Sequence, residues 1–135
     1  MILVDAGPLV AVLHREDQQH ERCVATMRSL RGSIGTAWPV VAEAMCLLRF
    51  SWEAQDGLWR LLMTERLRLL PLGVQGDAPR MRELMEKYRD LPMDLADAAI
   101  VRVAEREGIR RVFTIDRRDF SLYRPARLGR FEILP

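Results

Sequence analysis

The chain has 135 residues, 49% hydrophobic and 30% charged, and a net charge of +2, which allows one domain over residues 1–135 and argues against disorder. Twenty of its 21 basic residues are arginine, and Lys87 is no candidate for a phosphate-loop or Schiff-base lysine. Cys23 and Cys46 lack CxxC spacing, which argues against zinc, and no segment approaches the roughly 20 apolar residues of a membrane span.

Short apolar runs alternate with helical patterns along the chain, which predicts βαβ units and a mostly parallel sheet. Ile2 to Val4 reads as the first strand, ended by Asp5 and broken by Gly7-Pro8. Residues 1–13 contain Asp5 and no basic leader, so they do not read as a signal peptide, and the cytoplasm is the expected compartment. A short helix carries Leu9, Val10, Val12 and Leu13, and a second runs from Gln19 to Leu30. His14 and His20 sit on polar sequence and read as surface residues. Ile34 to Thr36 is a short strand.

Pro39 opens a helix through Phe50, and another covers Glu53 to Thr64. Leu67 to Leu72 reads as a strand ended by Gly73, with Asp77 capping a helix to Tyr88. Asp94 begins a helix to Glu107 that is apolar nearly all round until Val103-Ala104, with Gly108 as its C-cap signal. Val112 to Ile115 is a buried strand, and Phe131 to Leu134 an edge strand. No repeat or second domain is visible.

Four acids punctuate this pattern. Asp5 and Asp116 each close an apolar run, at the carboxyl end where open parallel sheets place functional groups. Glu43 and Asp97 lie within apolar helical stretches. Each has a plain structural alternative. Asp5 and Asp116 fit turns, Glu43 fits a helix start, and Asp97 fits a capping box with Asp94 as N-cap. Carboxylates bordered by apolar residues are costly to bury unless paired or bound to metal. Four of them point to a hard divalent cation, and oxygen-only donors fit Mg²⁺ or Mn²⁺. With no Ser–His or Cys–His pairing evident, metal-activated water is the expected nucleophile for attack on phosphorus.

Charge is distributed unevenly. Residues 110 to 135 hold seven arginines against Asp116, Asp119 and Glu132, a surplus of four that leaves −2 for the rest. Basic sequence beside an acidic cluster suits a polyanion, with Arg117 and Arg118 as candidate RNA-backbone contacts.

Several segments together resemble PIN-domain proteins of the VapC toxin type. They are Val4-Asp5-Ala6-Gly7-Pro8-Leu9, Glu43, the stretch from Leu91 to Ala98, and the stretch from Thr114 to Phe120. The resemblance covers nearly the whole chain. It implies a three-layer α/β/α fold with a mostly parallel sheet and Mg²⁺- or Mn²⁺-dependent endoribonuclease activity. It also implies a homodimer neutralised by a cognate VapB-type antitoxin. By position it makes Asp5, Glu43, Asp97 and Asp116 the catalytic, metal-holding quartet, with Thr114, Asp94 and Asp119 accessory. Large apolar residues of the middle helices, among them Leu47, Leu48, Phe50, Trp52 and Trp59, are consistent with a dimer face.

Two other readings stay open: an RNA-processing nuclease of this fold without an antitoxin, and a non-catalytic RNA- or partner-binding module. A phosphotransfer protein fits less well. The phosphatase pattern wants a second Asp where Gly7 stands, and the receiver pattern wants a late lysine that is missing.

Overall fold

In the computed structural model, which describes all residues from Met1 to Pro135, the apolar runs that end at Asp5 and Asp116 become neighbouring strands. In chain order the elements are β1 (Ile2–Val4), α1 (Ala6–Leu13), α2 (His20–Ser29), β2 (Ile34–Thr36), α3 (Trp38–Leu47) and α4 (Trp52–Met63). There follow β3 (Leu67–Leu69), α5 (Asp77–Lys87), α6 (Leu95–Glu107), β4 (Arg111–Phe113), α7 (Arg117–Leu122) and β5 (Glu132–Leu134). The sheet is five-stranded and parallel throughout, in the order β3-β2-β1-β4-β5.

That order fixes where a site can form. The chain steps outward from β1 to β2 and β3, then crosses back to lay β4 on the other side of β1. The direction reverses between β1 and β4, and open parallel sheets bind ligands beyond the strand ends at that switch point. Right-handed crossovers in opposite directions put helices on both faces. Ile2, Leu3 and Val4 are all buried accordingly, since alternate residues of a strand face opposite sides. The core continues through Phe113, Ile100, Leu9, Leu58 and Leu84. No helix is long and apolar enough to cross a membrane.

Most expected elements are present, with shifted bounds. α1 starts at Ala6, directly after Asp5, so Gly7-Pro8 lies inside its first turn. The structure also holds α7, where the polar Asp-Arg-Arg-Asp run reads as a turn. Asp116 caps this short helix, whose one buried residue is Phe120. The strands at 67 and 112 stop at Leu69 and Phe113, before the expected Leu72 and Ile115. Of the large apolar residues in the middle helices, Leu48 belongs to the core, whereas Leu47, Phe50, Trp52 and Trp59 are exposed. His14 and His20 are half-buried rather than on the surface. His14 meets the edge of Phe50, and His20 Nδ1 lies 2.6 Å from the Ala11 carbonyl.

Asp77 is not the cap of α5 but its first residue, after Gly76 at φ 79°. Its carboxylate has other work. It accepts from the Gly73 amide at 2.8 Å, Arg102 Nε at 2.7 Å and Arg106 Nη1 at 3.0 Å. Both arginines lie on α6, so Asp77 ties α5 and the preceding loop to the helix that carries Asp97. Burial pushes the Asp77 carboxyl up, but the Gly73 amide and the two guanidiniums outweigh it and hold it below 3.8. Removing one partner of such a group strands the others. We expect Asp77→Ala to lose about 3 kcal/mol in urea unfolding, because both arginines keep some solvent access. A loss under about 0.5 kcal/mol would place the clasp among ordinary surface ion pairs.

Candidate active site

Three acids owe their positions to one local device. A carboxylate at a helix N-cap accepts from an otherwise unpartnered backbone N–H of the first turn. Asp5 does this for α1, accepting from the Ala6 amide at 2.8 Å. Asp94 does it for α6, from the Asp97 amide at 2.8 Å, and Asp116 for α7, from the Asp119 amide at 3.1 Å. Three helices therefore start at the switch point, with the positive ends of their dipoles toward the acids.

The expected capping box at α6 is only half made. Asp94 bonds the Asp97 amide, but the Asp97 side chain accepts from Tyr123 Oη at 2.6 Å. Across the gap between β1 and β4, Thr114 is a buried bridge. Its Oγ1 donates to Asp5 Oδ2 at 2.8 Å and accepts from the Asp116 amide at 3.0 Å.

Asp97, Asp116 and Asp119 bring one carboxylate oxygen each within 4.8 Å of one another. Asp119, placed by sequence among the accessory residues, is thus brought together with Asp97 and Asp116. Asp5 lies at the same end of the sheet, with its oxygens on Thr114 and Ala6. Glu43 is on the exposed side of α3, outside the group of three, and within electrostatic reach of Asp94 and Asp5. Arg117 and Arg118 are exposed on α7. Arg117 Nη1 donates to the Pro135 carbonyl at 2.6 Å, while the Arg118 charge acts on Asp119. Tyr123 is the one contributor with no signal in the sequence.

The electrostatics have one sign. Burial, then the charges of Asp94 and Asp116, raise the Asp5 carboxyl against the opposing hydrogen bonds from Thr114 and Ala6. Burial is the largest cause for Asp97 too. The charges of Asp5, Asp94 and Asp116 add to it and the Tyr123 hydrogen bond offsets part, leaving Asp97 at about 8. Asp119 rises through burial and its contact with Asp116. Glu43 rises through partial desolvation of its carboxyl and the charges of Asp94 and Asp5. A bound cation would reverse this repulsion. The donor set fits one, since carboxylate oxygens without His or Cys suit Mg²⁺ or Mn²⁺.

A PIN domain model matches residues 2–127. The chain belongs to the PIN domain family. A PIN relative, Ribonuclease VapC26 of Mycobacterium tuberculosis strain H37Rv, is 29% identical over 136 residues, spanning 99% of this chain and all of its own. Among solved structures, Mycobacterium tuberculosis VapC20, a toxin that cleaves the sarcin-ricin loop, superposes with a TM-score of 0.79 at 17% identity. That match covers 87% of this chain and 92% of VapC20. VapBC2 from Rickettsia felis, bound to a DNA fragment from its promoter, gives a TM-score of 0.66 at 14% identity over the whole of both chains. At these identities the two structures establish the fold. The expected α/β fold with its parallel sheet is thus the PIN fold.

The raised carboxyls fix how stability depends on pH in the metal-free PIN domain. Asp97 moves from 3.8 to about 8, so over that interval the folded state keeps a proton that the unfolded chain has lost. Its contribution is fully present below about pH 4 and is lost as pH rises through 8. Asp5, Asp119 and Glu43 act in the same direction. Asp77, held low, acts in the opposite one and loses its contribution in acid. Thermal unfolding in EDTA should therefore give a melting temperature that falls from about pH 5 to 8, with a flatter profile in Asp97→Asn. A wild-type profile that rises over this range would contradict the reading.

Proposed function

We propose that this PIN domain is a metal-dependent endoribonuclease toxin of a type II toxin–antitoxin system, restrained by a cognate VapB-type antitoxin. The observation that carries the reading is the convergence of Asp97, Asp116 and Asp119, with Asp5 beside them, at the switch point of the sheet. Full-length similarity to a ribonuclease of the VapC type supports it.

In this reading Asp97, Asp116 and Asp119 hold Mg²⁺ or Mn²⁺ directly, and Asp5 completes the charge around it. Glu43 closes the acidic rim from α3, and Asp94 and Thr114 keep Asp97, Asp116 and Asp5 in register. When bound, the cation would supply the charge that activates water and stabilises the negative charge developing on the phosphoryl oxygens. Arg117 and Arg118, on the helix that Asp116 caps, contact the RNA backbone and bring its phosphates to the acids. The cytoplasm is the proposed setting.

Cleavage of total cellular RNA by the purified chain should be discrete, present with Mg²⁺ or Mn²⁺ and absent in EDTA. Asp97→Asn should lose about 100-fold or more of the rate. It should also melt no lower than wild type, because it removes one member of a repelling cluster. Cleavage that persists in EDTA would contradict the metal reading.

The proposed assembly is a homodimer. Trp38, Leu47, Phe50, Trp52 and Met63 leave large apolar side chains exposed on α3, α4 and the loop between them, and such patches mark contact surfaces. Light scattering at micromolar concentration should return twice the 15.6 kDa chain mass. A clean 15.6 kDa species would contradict the dimer.

A further inference from the structure

Asp97 is buried among acids, and its carboxylate has a single hydrogen-bond donor among the side chains and backbone of the chain, the Tyr123 hydroxyl. Tyr123 lies just after α7 and is fully buried. Its ring meets Tyr88 edge-on at 5.0 Å and Phe120 at 5.1 Å, and Phe120 in turn meets Phe131. The Tyr88 hydroxyl accepts from the Arg124 amide at 2.9 Å, which fixes the backbone next to Tyr123. An aromatic cluster thus clamps the ring, and the clamped ring points its hydroxyl at Asp97.

A buried tyrosine hydroxyl needs one partner, and a backbone carbonyl would satisfy it. Here the partner is a buried acid at the mouth of the sheet. A carboxylate has about four lone-pair sites, so Asp97 can accept from Tyr123 and still offer oxygen to a cation. Ligating carboxylates are held by outer hydrogen bonds of this kind, which set their orientation. Thr114 does the same for Asp5 from the next strand. Tyr123 does it from a segment 26 residues further along the chain than Asp97.

We propose that Tyr123 is a positioning residue of the active site, its buried hydroxyl holding the Asp97 carboxylate in the orientation that receives the divalent cation. This rests on the metal-dependent reading above. It makes the aromatic cluster around Tyr123 the support that carries the order of the chain's last quarter to the metal-binding acids.

The test is Mn²⁺ binding by the purified full chain, read by electron paramagnetic resonance of the free ion, so no turnover is involved. Wild type, Tyr123→Phe and Tyr88→Phe are compared, with circular dichroism as the check on folding. Tyr123→Phe keeps the ring and loses only the hydroxyl. It should bind Mn²⁺ about tenfold or more weakly. Tyr88→Phe keeps the clamping ring and removes a hydroxyl that touches no acid, so it should weaken Mn²⁺ binding several-fold less than Tyr123→Phe does.

Equal affinity in Tyr123→Phe and wild type, or an equal loss in Tyr88→Phe, overturns the proposal. A wild type that binds no Mn²⁺ overturns the metal reading itself, and this proposal with it. A second readout needs no change at Tyr123. In Tyr88→Phe, Tyr123 is the only tyrosine left, so Mg²⁺ should perturb the tyrosine near-ultraviolet difference spectrum. An unperturbed spectrum at saturating Mg²⁺ overturns the proposal even if Tyr123→Phe fails to fold.

Discussion

Mutual repulsion among carboxylates at one end of a parallel sheet is the constraint around which this structure is organised. Asp5 and Asp97 are buried, Asp116 and Asp119 half-buried, and all stand where the strand order reverses. Burial penalises the charges of Asp5 and Asp97, and proximity to the other acids adds to the penalty. A fold selected only for stability would place apolar side chains there. Three countermeasures are visible in the chain itself. Helix N-termini face the acids, Thr114 donates to Asp5, and Tyr123 donates to Asp97. Each offsets part of the repulsion, and a divalent cation would offset far more.

The remainder of the fold holds this arrangement in place. β1 and β4 pair in parallel with Leu3 opposite Val112 and Val4 opposite Phe113, so Asp5 and Thr114 emerge side by side. Every residue of β1 is buried, which leaves its register little freedom to slip. α6 delivers Asp97 and is itself held by Asp77 through Arg102 and Arg106. α7 delivers Asp116 and Asp119 and leads into Tyr123, whose hydroxyl returns to Asp97. Elements far apart in sequence therefore share one set of oxygens.

Much of this was legible before folding. Asp5 follows an apolar run and stands directly after β1, whereas Asp116, which closes a similar run in the sequence, lies beyond the end of β4 as the cap of α7. Asp97 stands out as the one charge in the otherwise apolar run from Leu95 to Val101. The Gly108 C-cap and the Asp94 N-cap follow from local chemistry alone. What the sequence hides is what depends on distant partners. Asp77 reads as a helix cap because its arginines lie 25 and 29 residues away. α7 escapes notice because six residues with a single buried side chain carry no periodic apolar stripe. Missing α7 conceals Tyr123, and it also conceals that Asp119, in the first turn of α7, faces Asp97. Glu43 shows the converse. Its motif position gives it rank with the other acids, and in the fold it is exposed on α3 within electrostatic reach of Asp94 and Asp5.

The central claim is that these acids exist to hold a hard cation. Anomalous diffraction from crystals grown with Mn²⁺ addresses it directly, because the signal locates the ion without reference to activity. The account predicts an anomalous peak within direct coordination distance of Asp97, Asp116 and Asp119. A fully occupied Mn²⁺ elsewhere, with these carboxylates left bare at saturating concentration, would contradict it.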